Sequence, residues 1–120
     1  MNNGPGLGPA ILVAALITVA LAGLAGVSRM LAGGTIGPNP LVGIRLPALL
    51  ASERAWQGGH RAAVRPLTIT ALVAFLALVG SVVAAGTVLW YLIFLCTALA
   101  FVIIGVVVAA VVAVRAARRV

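Results

Sequence analysis

Few residues in this chain could carry chemistry. Glu53 is the only acid, His60 the only histidine and Cys96 the only cysteine, beside eight arginines and no lysine. A zinc site takes three or four ligands, which one His, one Glu and one Cys cannot supply. A nucleophile oriented by a base and a third polar group is equally out of reach, because the chain holds no aspartate. No glycine loop of the phosphate-binding kind follows a strand. The composition therefore points away from enzymes and metal or cofactor sites and toward recognition.

The residues that could recognise something cluster in one stretch, Pro38 to Pro66, which holds Glu53, His60, Trp56 and four of the arginines. Glu53, Trp56 and His60 recur at i, i+3 and i+7, one face of a helix, and the spacing predicts a helix from about Pro47 to Arg61. Arg45, just before Pro47, could hold a lipid phosphate or a carboxylate in bidentate fashion. Glu53, the lone anion among arginines, is expected to pair with Arg45, Arg54, Arg61 or His60. That pairing would either tie the helix to the spans or serve a ligand. Trp56 reads most simply as an anchor at the membrane–water interface. His60 reads as a hydrogen-bonded structural residue, with proton transfer or pH sensing as the alternative.

The elements that position this stretch are apolar. Of 120 residues 64% are hydrophobic, with mean hydropathy +1.30, well beyond soluble domains, where about half are apolar. The net charge of +7 lies beside apolar runs rather than along a polar face, so it signals membrane topology and not a nucleic-acid partner. Residues about 9–28 form one uncharged run, long enough to span. The missing basic n-region favours a retained span over a cleaved signal peptide. From Pro66 to Val114 no side chain is charged. A single helix of that length would be roughly 73 Å, against about 30 Å of hydrocarbon. Two spans, about 66–85 and 88–112, fit instead, with a turn near Ala85-Gly86-Thr87 and Trp90-Tyr91 at the interface.

The expected architecture is all-α: one membrane domain over 1–120, with three transmembrane helices and a short interfacial or cytoplasmic helix between spans one and two. Residues 29–65 form the motif segment and 115–120 a basic tail. All eight arginines fall in those two segments, which places both in the cytoplasm and the N-terminus outside. Anionic headgroups at the cytoplasmic face are then natural partners. Cys96 lies on the far side of the membrane from His60 in this arrangement and is expected to be a small buried hydrophobe. Small residues recur every fourth position at Ala10, Ala14, Thr18, Ala22 and Gly26. Similar rows run through Ala77, Ser81 and Ala85, and through Gly105, Ala109, Ala113 and Ala117, so helices could approach closely within the chain or between copies.

Asn39, Gly43-Ile44-Arg45, Pro47, Ser52-Glu53, Trp56 and His60-Arg61 together resemble the signature of the SdpI-type family of bacterial membrane proteins, whose motif lies between two spans. The family's two threonines in this region are Leu46 and Leu49 here. The family is named for a protein conferring immunity to a secreted toxic peptide. The resemblance implies a multi-pass protein of the bacterial plasma membrane with no cofactor. It also implies that Asn39, Gly43, Arg45, Pro47, Ser52, Glu53, Trp56, His60 and Arg61 form the motif that meets a peptide toxin or a membrane-protein partner. The alternative is a structural accessory subunit of a larger membrane complex. A homo-oligomeric pore is disfavoured, since no polar stripe runs along a span. Homo- or hetero-oligomeric state stays open.

Overall fold

The structure, a computed structural model, describes residues 4–120. Four helices follow in order: α1 (Leu7–Ala32), α2 (Pro47–Leu50), α3 (Glu53–Val83) and α4 (Val88–Arg118). Three of them, α1, α3 and α4, are long and apolar enough to cross a membrane. No strand occurs among the described residues. The protein is a multi-pass, all-helical membrane protein.

The helix expected over Pro47–Arg61 does not stand alone. It is one turn, α2, then a break at Ala51 and Ser52; from Glu53 onward the motif continues without interruption into the second span. Ser52 starts that helix by accepting the Ala55 N–H at 3.0 Å, a side-chain cap worth about 1 kcal/mol. Pro66, which the sequence places at a helix start, lies inside α3. A proline removes one helical hydrogen bond, and neighbouring helices hold such a helix together in a membrane. Here a single buried stripe crosses the proline: Trp56, Gly59, Ala63, Leu67, Thr70 and Ala74 follow at steps of three or four. The hydroxyl of Thr70 donates to the Pro66 carbonyl at 2.7 Å.

That stripe makes α3 the central helix. Both α1 and α4 pack along it, and at the far end Ala10 of α1, Ala85 of the turn and Tyr91 of α4 form one buried cluster. Tyr91 is buried there while Trp90 is exposed. On α4 the small residues Ala109, Ala113 and Ala117 are buried against this core, and Gly105 sits directly on Thr70. The small row of α1 behaves differently. Ala10 is buried, but Ala22 and Gly26 are exposed. Cys96 is also exposed on α4, not buried as expected. On an apolar helix face turned to lipid, a thiol behaves as a small hydrophobe and has no reason to turn inward.

At 31 residues, α3 is about 46 Å long, against about 30 Å of hydrocarbon. It is therefore longer than one crossing requires. Its charged turns, Glu53 to Arg65, lie at the end where α1 finishes with Arg29 and α4 with Arg115 and Arg118.

Candidate functional site: a cap over the arginine-rich end

Between α1 and α2 the chain folds back over the first turns of α3. Gly33 and Gly34 end α1, with φ +80° at Gly34. Asn39 then organises the loop. Its Oδ1 accepts from the backbone N–H of Leu41 at 2.9 Å and of Val42 at 2.8 Å, and its Nδ2 donates to the Gly37 carbonyl at 2.9 Å. An asparagine bonded to its own following backbone is a turn built by a side chain.

Trp56 and His60 hold the loop down. Both are fully buried, each with 0% exposure. Trp56 Nε1 donates to the Ile36 carbonyl at 3.0 Å. The Ile44 N–H points at His60 Nε2, 2.9 Å away. A backbone N–H can only donate, so Nε2 is the acceptor and the ring proton sits on Nδ1, which gives it to the Trp56 carbonyl at 2.7 Å. The two rings meet edge to face with centroids 4.4 Å apart. Burial therefore pushes the His60 pKa below its ordinary value of 6.5, against a smaller upward pull from the Trp56 carbonyl.

Gly43 closes the contact. Its φ is +101°, and a Cβ there would lie 2.6 Å from Leu31 Cδ1, 2.8 Å from His60 Nε2 and 3.0 Å from Trp56 Cη2. Only glycine satisfies both the left-handed backbone and that space. Arg61 ties α3 to α1 by donating from Nη2 to the carbonyl of Ala32, the last residue of α1, at 3.3 Å. A cation there also suits the negative end of the α1 dipole. Below, Leu49 of α2 rests on Gly59, where a Cβ would come within 2.6 Å of its side chain.

The motif thus divides. Asn39, Gly43, Trp56 and His60 face inward and build the cap. Arg45, Pro47, Ser52, Glu53 and Arg61 lie on its exposed side. Two expectations are corrected. Trp56 is the buried keystone of the cap and not an interfacial anchor, because its N–H finds a carbonyl partner inside the protein. Glu53 makes no ion pair within 4.0 Å among the described residues. It occupies the first turn of α3, where the free N–H groups and the helix dipole favour an anion, with Gly37 beside it.

Sequence reasoning missed Leu31, Ile36 and Gly59, which receive motif side chains or α2. The Gly58-Gly59 pair was the available signal, since a glycine inside a helix often marks a close approach.

The family model described as the SdpI/YfhL protein family matches residues 35–114, which is 80 of the 120 residues. No curated protein and no solved structure matches the chain. The matched region begins at the cap loop, includes every inward and outward motif residue, and ends within α4 beside the buried alanines. The chain belongs to the SdpI/YfhL protein family.

Proposed function

We propose that this protein is a non-catalytic recognition protein of the immunity or signalling kind, which meets a peptide or a membrane-protein partner on the outer rim of the cap. In this reading the cap faces the cytoplasm, the N-terminus lies outside, and the membrane is the bacterial plasma membrane. The arginine distribution supports that orientation, with all eight on the cap side.

One observation carries the reading. The inward half of the motif is consumed by its own fold, and what that fold holds in place is Arg45. The residue before it is pinned through its N–H to His60, and the residue pair after it leads into α2. Arg45 itself is exposed. A guanidinium on a fixed backbone keeps its planar fork available for a carboxylate at little ordering cost. Exposed Pro47 follows two residues on, and exposed Glu53, at the start of α3, gives the cap its one negative group.

The test is a mild-detergent pull-down with mass spectrometry on the wild type and Arg45→Ala, beside growth assays of the deletion strain against membrane-active peptides. A partner captured by the wild type and lost in Arg45→Ala, with the deletion strain sensitised to a peptide, supports the reading. Capture that is indifferent to Arg45 but brings down a large membrane complex favours the accessory-subunit alternative. Labelling of a cysteine at position 54 only from outside intact cells overturns the orientation.

A further inference from the structure

The seam between α1 and α3 is open along one side. On α1, Ile11, Ala15, Thr18, Ala22, Ala25 and Arg29 recur at alternating steps of four and three, so they share one face. On α3, Thr68, Leu72, Phe75, Val79 and Val82 do the same. These residues line two cavities on that seam, of about 420 Å³ toward the far end and about 240 Å³ toward the cap. The two follow one another along the seam as a trench that from Ile11 to Arg29 spans about 27 Å at 1.5 Å per residue, close to the hydrocarbon depth.

Its walls are small where an internal helix contact would require smallness. Yet a Cβ on Gly26 would meet nothing within 4 Å, and Ala22 is exposed. These residues therefore make room for something outside the chain. The single charged group on the trench is Arg29, at its cap end. The Thr68 hydroxyl beside it already donates to the Val64 carbonyl at 2.7 Å, so an anion there is held by Arg29. Charge chooses the occupant. A second copy in the same orientation would bring another set of eight arginines and one acid alongside the first, which repels. A lipid phosphate is complementary, and basic pockets between spans at headgroup level are known to suit anionic lipids.

We propose that this trench holds one anionic phospholipid, with its phosphodiester on Arg29 and an acyl chain along Ala22 and Gly26. The site is separate from the rim that carries Arg45 and stands or falls independently of the recognition reading.

Native mass spectrometry of the full chain tests it, using phosphatidylglycerol and phosphatidylcholine with identical chains in equal amounts. The wild type should retain one phosphatidylglycerol in preference to phosphatidylcholine. Arg29→Gln should lower that preference about fivefold, the factor corresponding to ~1 kcal/mol for one arginine near an anionic surface, and Arg29→Lys should keep most of it. Gly26→Leu, whose Cβ meets nothing within 4 Å, should reduce retention of both lipids. Arg54→Gln, an equal charge loss away from the trench, should leave the preference unchanged, and equimolar soluble glycerol phosphate should not displace the lipid. The proposal is overturned if Arg54→Gln acts as strongly as Arg29→Gln, if Gly26→Leu retains both lipids normally, or if glycerol phosphate competes. It is equally overturned if the wild type is a dimer that Gly26→Leu separates, since a second copy then fills the trench.

Discussion

Ile44 and His60 are sixteen residues apart, and the backbone N–H of the first donates to Nε2 of the second at 2.9 Å. This bond joins the cap loop to α3 at the fully buried His60 ring. It also determines the tautomer of the only histidine, since the other ring nitrogen must then carry the proton toward Trp56.

Replacing His60 removes the acceptor and leaves the Ile44 N–H without a partner. His60→Ala should cost about 1–3 kcal/mol from that orphaned donor, with a further loss from the space vacated beside Trp56 and Gly43. Thermal unfolding in detergent measures the total. Protease cleavage confined to residues 33–46 would show that the loop opens first. An unchanged melting temperature would mean the bond contributes nothing.

Acid should loosen the cap. The folded-state pKa of His60 is lowered below 6.5, so the open state binds more protons than the closed one between those two values. Stability then rises with pH in that window: the closed cap has its full stability above about pH 6.5 and loses it as pH falls toward the folded-state pKa. A protonated ring would also aim Nε2–H at the Ile44 N–H. Exchange protection at the Ile44 amide, corrected for intrinsic rates, should be flat above pH 7 and fall below 6.5. A profile that is flat down to pH 5 contradicts this.

Gly43 should tolerate no side chain. Gly43→Ala places a Cβ 2.6 Å from Leu31 and 2.8 Å from His60 on a backbone with φ +101°. Left-handed backbone and overpacking each cost about 1–3 kcal/mol, so a loss of at least about 2 kcal/mol is expected. Gly26→Ala, with open space at its Cβ, should stay within about 0.5 kcal/mol of wild type. Equal melting temperatures for the two variants would refute the packing described for the cap.

Trp56 contributes through both its ring and its N–H. Trp56→Phe keeps most of the packing but frees the Ile36 carbonyl, which should cost about 1–2 kcal/mol. Trp56→Ala should cost about 3–5 kcal/mol. If Trp56 were an interfacial anchor, Phe would serve nearly as well as Trp and the loop around Ile36 would be unaffected. Protease accessibility at Ile36 separates the two cases.

Two features of this protein follow from sequence alone. A run of 49 residues without a charge cannot be accommodated in water or in one crossing, so three spans and the grouping of the arginines are legible from composition and length. The motif is legible too, because several unlike residue types at set spacing are specific in a way a hydrophobic pattern is not. What the spacing could not disclose was direction. Trp56, His60 and Arg61 lie within one and a half turns, yet two are buried and the third reaches α1. Which way a helix faces depends on what is laid against it, here a loop of irregular backbone whose course no periodicity records. Pro66 shows the same limit. Its local preference is to begin a helix, but the stripe from Trp56 to Ala74 packs against both neighbouring spans, and that tertiary contact outweighs one missing hydrogen bond. The row on α1 shares with the row on α4 the same four-residue repeat of small residues. Only the placement of α3 between them decides that one is buried and the other opens a trench.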